Sequence, residues 1–166
     1  GGSLGGALAI NHMYFGKERI YTDEYDLMKG SFLGPHYSNK EILIINKKFK
    51  AVFDYYESFE KLSKTVAKLI SKGNVIGWFQ GRSEFGPRAL GNRSILADPR
   101  NAEMQKKLNL KIKYREGFRP FAPSVLEEEY GNHFEGDIKS PYMLIVKKIN
   151  SKTKKKIPEN YYELNY

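Results

Sequence analysis

Between positions 82 and 119 the chain carries ten basic residues: Arg82, Arg88, Arg93, Arg100, Lys106, Lys107, Lys111, Lys113, Arg115 and Arg119. Only four acids, Glu84, Asp98, Glu103 and Glu116, stand among them. Arginine presents a planar fork of donors that matches the oxygens of phosphate and carboxylate. Gly81, Gly86, Gly91 and Gly117 punctuate the same stretch, and Pro87, Pro120 and Pro123 stiffen it. Cations on short, stiff loops suit chemistry in which polyanions are brought together and developing charge is neutralised. Neither Gly-x4-Gly-Lys-Ser/Thr nor Gly-x-Gly-x-x-Gly occurs, so no standard phosphate loop is present. The residues alone support an anion-binding α/β domain, with ordinary solvated loop arginines as the plainer alternative.

These loops need elements to position them. Val75, Ile76, Trp78 and Phe79 predict a buried strand over residues 74–80, and the 81–92 loop leaves its carboxyl end, where α/β sheets place ligands. Trp78 and Phe79 are read as core packing rather than base-stacking residues. A short strand is expected at 94–97. Asp98 and Pro99 read as N-cap and first position of a helix running to about Leu110, with Met104 and Leu108 inward and Lys106, Lys107 and Lys111 on a solvated face. Upstream, Ser38 and Glu41 form a capping box for a helix to about Lys47. Ser58 caps a second helix over 59–71, with Gly73 just past its end. Further strands are expected at 51–56, 121–127 and 142–148, a short helix at Glu127–Glu129 near Tyr130, and a basic turn at 151–156. Residues 1–15 show a rough helical stripe of Leu4, Leu8, Ile10 and Met13.

Other chemistry is weakly supported. Glu127, Glu128 and Glu129 are adjacent, so on a helix their carboxylates diverge and do not build a metal site. His12, His36 and His133 lack companions with ligand spacing, so no metal ligand is assigned. Glu84 and Glu116 are read as orienting arginines rather than acting as bases.

Composition sets outer bounds. With 166 residues, 40% of them hydrophobic, the chain has material for one domain with a modest core. A net charge of +9 favours anionic partners such as nucleotides, phosphorylated substrates or nucleic acid. Cysteine is absent, which excludes disulfide and thiolate chemistry and suits a cytoplasmic location. No apolar run reaches membrane-span length, so no membrane partner is expected.

The strings GWFQGRSEFGPRALGNRSILADPR (77–100) and LNLKIKYREGFRPFAPSVL (108–126) closely resemble the C-terminal domain of the NodU/CmcH-type carbamoyltransferases. The resemblance is strong over roughly residues 60–135. It implies an α/β fold of the YrdC-like kind, a twisted mixed sheet with flanking helices, truncated at its C-terminus. It also implies that residues 1–16 are a remnant of a preceding actin-like (ASKHA) domain, 17–57 an interdomain connection and 58–166 an incomplete YrdC-like domain. Such domains make carbamoyl-adenylate from carbamoyl phosphate and ATP. The actin-like domain, which holds a metal taken as iron, passes the carbamoyl group to a hydroxyl-bearing small molecule or sugar.

Lys113-x-Arg115 followed by Arg119-Pro120 is similar to the Lys-x-Arg…Lys-Pro signature of YrdC domains, with arginine in place of the second lysine. By this resemblance Lys113 and Arg115 bind the nucleotide phosphates, and Arg88 and Arg119 hold carbamoyl phosphate or the pyrophosphate end. Arg82 assists, and Mg²⁺ arrives with ATP. Lys113 and Arg88 are the catalytic candidates. The implied partners include the chain's own N-terminal domain and a homodimer covering open sheet edges. The family's later Asn-Thr-Ser-Phe-Asn stretch, which helps hold the nucleotide, does not occur in these residues, so weak nucleotide binding is expected. The rival class is a basic, non-catalytic YrdC-like module that binds RNA.

Overall fold

A computed structural model describes residues 1–20, 26–136 and 140–161. Part of the 17–57 connection and the last five residues of the 58–166 segment lie outside these residues. The fold is α/β, with a small two-stranded sheet and several helices.

Among the described residues three α-helices precede the sheet. The first, α1, spans Gly2–Ala9 and continues as a π-helical turn at Ile10–Tyr14, in keeping with the apolar stripe of the sequence. The second, α2, spans Asn39–Lys48. Its capping box is complete: Glu41 N–H donates to Ser38 Oγ, and Ser38 N–H donates to the Glu41 carboxylate. The third, α3, spans Phe59–Ser71, with Ser58 Oγ accepting from Lys61 N–H. Gly73 follows it at φ +82°, a left-handed conformation that ends a helix most easily at glycine.

The sheet pairs β1 (Ile76–Phe79) with β2 (Arg93–Leu96), antiparallel, with Ile76 opposite Leu96 and Phe79 opposite Arg93. The strand expected at 74–80 is therefore shorter and only half-buried, with alternate residues facing out. Trp78 does not lie in a closed core. It meets Phe59 of α3 edge-on, ring centres 6.2 Å apart, and its indole N–H donates to Gln80. Phe79 is exposed, near Tyr37. Among the described residues neither edge of this two-stranded sheet has a further strand partner.

Helix α4 spans Met104–Lys107 and runs on as a π-helical turn at Leu108–Ile112. It begins later than Asp98-Pro99 predicted. The Asp98 carboxylate accepts from the Arg100 backbone and guanidinium, which makes a local turn instead of a helix cap. Met104 and Leu108 point inward as expected and are the buried hydrophobic side chains among the described residues. A 3₁₀ turn at Glu127–Glu129 leads into α5, Tyr130–His133, again as expected.

Three expected strands are absent among the described residues, so the mixed sheet is not formed there. Residues 51–56 have no ladder partner, and Val52 is fully exposed. At 121–127, Pro120 and Pro123 remove backbone donors next to and within the segment. Residues 142–148 pair through the backbone only at their end, where Glu135 N–H donates to Lys148 C=O beside a Phe134–Ile149 bridge, while at their start the Tyr142 hydroxyl donates to the Asp26 carboxylate. Apolar β-formers alone do not make a strand, because each needs a hydrogen-bonded neighbour.

The accessible surface is 14814 Å², against ~8,400 Å² for a compact monomer of this mass. Consecutive apolar residues of α2, Ile42 to Ile45, are all exposed. Order in the 76–121 region therefore comes largely from hydrogen bonds to a few buried polar groups. Among the described residues no helix is long and apolar enough to cross a membrane.

Candidate functional site

The 81–93 loop connects β1 to β2, so its ends are fixed by the ladder at Phe79 and Arg93. Its interior is fixed by Glu84, whose side chain is fully buried. Glu84 Oε1 accepts from the backbone N–H groups of Leu90 at 2.7 Å, Asn92 at 2.8 Å and Arg93 at 3.2 Å. Its Oε2 accepts from Arg93 Nε at 2.9 Å. Arg93 Nη2 then reaches the carbonyls of Glu84 and Gly86, both at 3.1 Å. Burial pushes the Glu84 carboxyl up, but the bonds from Arg93 and the loop backbone outweigh it and hold the pKa at about 2.

Asn92, also buried, donates through Nδ2 to Arg82 C=O at 2.6 Å and locks the other side of the loop. The 31–35 segment clamps it from outside. Gly34 N–H donates to Ser83 C=O, Ser83 N–H to Pro35 C=O and Phe85 N–H to Ser31 C=O. A Cβ at position 34 would lie 2.8 Å from the Ser83 backbone carbonyl oxygen, so glycine is required at that crossing.

The second loop, 113–121, leaves the end of the α4 helix and is organised by Asn109, which is 0% exposed. Asn109 Nδ2 donates to Gly117 C=O at 3.1 Å and Arg119 C=O at 2.8 Å. Its Oδ1 accepts from Arg115 Nε at 2.7 Å, and its carbonyl from Arg115 N–H at 3.0 Å. Gln105 adds a donor to the same Arg119 carbonyl. The Arg115 guanidinium lies 5.0 Å from the Phe121 ring centre, a cation–π contact. Each loop is thus braced by its own buried polar residue.

The predicted site residues divide into two groups. Arg115 and Arg119 share the Asn109 loop. Arg115 is oriented by Asn109 and Phe121 through Nε and its planar face, so neither contact uses its terminal nitrogens for a hydrogen bond. Arg119 donates through Nε to Glu116 at 3.1 Å. A hydrogen bond from its own backbone N–H, and then one from Arg119, hold the Glu116 carboxyl below its ordinary range. Lys113 is exposed at the start of this loop. Arg82 and Arg88 are exposed on the Glu84 loop. Among the described residues the side chains of Arg82, Arg88 and Lys113 make no ion pair or hydrogen bond.

The other cations of the stretch are engaged. Arg93 is tied to Glu84, and Arg100 forks onto Asp98, whose carboxyl it holds at about 2. Lys107, expected to be solvated, donates through Nζ to Gly73 C=O at 2.7 Å, beyond the C-terminal end of α3. Glu116 orients Arg119 as expected, whereas Glu84 orients Arg93 rather than Arg82 or Arg88. His133 lines an apolar cleft of about 470 Å³ with Pro123, Leu126 and Phe134. Among the described residues no three of His, Asp and Glu gather as metal ligands.

Asn109 and Asn92 are the residues the sequence did not announce. Asparagine inside a helix is a poor helix former. Its presence in the apolar run LNLKI was the available signal, since a polar side chain there must find partners once buried.

Comparison with known proteins supplies a family. Residues 67–163 match a family model described as Carbamoyltransferase C-terminus. An uncharacterized protein of Synechocystis is 57% identical over 148 residues, covering 88% of this chain and 24% of the relative. The nodulation protein NolNO of Sinorhizobium fredii is 60% identical over 79 residues, covering 48% of this chain and 12% of the relative. A 3'-hydroxymethylcephem-O-carbamoyltransferase of Amycolatopsis lactamdurans is 46% identical over 80 residues, 48% of this chain and 15% of the relative. The chain spans about a quarter or less of the length of these relatives.

Proposed function

The chain belongs to the carbamoyltransferase C-terminus family, and on that premise we propose that it is the nucleotide-activating part of an ATP-dependent O-carbamoyltransferase. In this reading the domain has a YrdC-like fold and forms carbamoyl-adenylate from carbamoyl phosphate and ATP, with Mg²⁺ carried on the nucleotide. An actin-like domain elsewhere in the polypeptide then transfers the carbamoyl group to a hydroxyl acceptor. The cephem O-carbamoyltransferase among the relatives, by its name, acts on one such acceptor.

The observation that carries the reading is the division among the cations. Arg93, Arg100 and Lys107 are engaged within the fold, while Arg82, Arg88 and Lys113 make no side-chain bond to the described residues. Exposed cations on internally braced loops suit a polyanionic ligand, because little reorganisation is needed when charge develops. Lys113 and Arg115 take the nucleotide phosphates, Arg88 and Arg119 the carbamoyl phosphate or pyrophosphate end, and Arg82 assists. Lys113 and Arg88 carry the largest share of charge neutralisation.

The test is pyrophosphate release from ATP in the presence of carbamoyl phosphate, measured in the complete polypeptide. Lys113→Ala is expected to reduce release by at least ~100-fold, within the range of losing one transition-state donor. Transfer from pre-made carbamoyl-adenylate should be retained, since that step belongs to the other domain. Equal release by wild type and variant removes Lys113 from the site. No carbamoyl-phosphate-dependent release by the wild type defeats the carbamoyl-adenylate reading.

A further inference from the structure

The 81–93 loop contains a ready-made anion nest. Three backbone N–H groups, those of Leu90, Asn92 and Arg93, converge on one oxygen atom. Such clusters of amides commonly hold a phosphate. Here the oxygen belongs to Glu84, and the same carboxylate takes Arg93 Nε on its second oxygen. Glu84 has no exposed side-chain surface, and Arg93 spends a further nitrogen on the Glu84 and Gly86 carbonyls.

We infer that Glu84 is the positioning residue of this loop: its carboxylate fills the backbone nest and engages Arg93, so that an anionic ligand is met by the side chains of Arg82 and Arg88 and not by the loop amides or Arg93. This inference rests on the phosphate-site reading above for the nature of the ligand. It adds that the third arginine of GRSEFGPRALGNRS is structural and that the glutamate acts through the loop instead of as a base.

The physical reason is charge balance in a confined space. A buried carboxylate with four charge-assisted or backbone donors is held firmly, and removing it leaves those donors unpaired. A ligand phosphate entering the nest would have to displace a carboxylate already satisfied there. Arg82 and Arg88 face no such competitor: they lie on either side of Glu84 in the sequence and are exposed. Asn92, bonded to Arg82 C=O, ties the Arg82 backbone to the same braced unit. Gln in place of Glu84 would offer the amides one carbonyl oxygen but turn an NH₂ donor towards Arg93, which breaks the pair while keeping the volume.

The experiment is amide hydrogen exchange and amide chemical shifts of the isotope-labelled chain, titrated with inorganic pyrophosphate to millimolar concentration. The wild type is compared with Arg82→Ala, Arg88→Ala and Glu84→Gln. In the wild type, the Leu90, Asn92 and Arg93 amides should stay protected and keep their shifts as pyrophosphate binds. Arg82→Ala and Arg88→Ala should each weaken binding at least tenfold without changing that protection. Glu84→Gln should lose the protection of those amides by at least tenfold and weaken pyrophosphate, although Arg82 and Arg88 are intact. Unchanged protection in Glu84→Gln overturns the positioning role. Loss of protection with unchanged pyrophosphate affinity reduces Glu84 to a structural residue and also overturns it. Pyrophosphate-induced shifts confined to the three amides overturn the claim that the nest is closed to ligand. Failure of the wild type to bind pyrophosphate defeats the phosphate-site reading instead, and the filled nest then stands or falls on the exchange data alone.

Discussion

The 81–93 loop is held by a buried carboxylate and the 113–121 loop by a buried amide. Both braces serve loops that carry arginines, and both satisfy several backbone groups at once. They differ in charge. Glu84 needs Arg93 beside it, whereas Asn109 is neutral and uses Arg115 only as one donor among its contacts. A charged brace is stronger when intact and costlier when broken. A neutral brace is weaker but indifferent to pH. An arginine's sequence neighbourhood therefore does not tell whether it faces solvent or an internal carboxylate: Arg93 meets Glu84, while Arg82 and Arg88 beside it are exposed.

The largest effect should come from removing the charged brace. Glu84→Ala leaves Arg93 and three backbone donors without their acceptor, and the local opening free energy of the 90–93 amides should fall by about 3 kcal/mol. Hydrogen exchange reads this directly, and equal loss in the 113–121 loop would show that the two braces are one unit. Asn109→Ala should come next. It unpairs the Gly117 carbonyl, leaves the Arg119 carbonyl to Gln105 alone and releases Arg115 Nε, at about 2 kcal/mol by the same measurement in the second loop. A loss confined to the Glu84 loop would contradict the assignment.

Acid separates the loops further. The Glu84 pKa of about 2 lies below its ordinary 4.5, so its bonds contribute fully above pH 4.5 and are lost as pH falls from there through about 2. The charged group facing it is Arg93, while the 31–35 segment packed on the loop presents no ionisable side chain at its contacts. Protection of the Leu90 and Asn92 amides should therefore fall across that window. The Asn109 contacts should persist, with only the Arg119 side chain released as Glu116 protonates. Parallel loss in both loops would remove the distinction.

Smaller changes refine it. Arg115→Lys gives up the Nε bond to Asn109 and the planar contact with Phe121, at about 1 kcal/mol in the second loop. Lys113→Ala should alter protection in either loop by no more than about 0.5 kcal/mol, because the side chain has no partner among the described residues. A large structural effect there would recast Lys113 as another brace.

Much of the local structure was legible in the residues. Ser38 with Glu41, Ser58 and Gly73 marked the ends of α2 and α3 because capping uses near neighbours. Met104 and Leu108 were readable as inward because helical spacing fixes which side chains share a face. The strands at 51–56, 121–127 and 142–148 were misread, since strand partners lie far away in sequence and no residue type guarantees one.

The charge, the loop-rich basic stretch, the helix caps and the family could all be read from residue identity and short spacing. Which cations are occupied depends on contacts between distant segments: Arg93 turns inward to Glu84 while Arg82 and Arg88 remain exposed. The burial of Asn109 and Asn92 as loop organisers is set in the same way. The reason is that a hydrogen bond is specified by distance and direction, and these are set only when segments such as 31–35 and 83–85, or Asn109 and Gly117, are brought together in space.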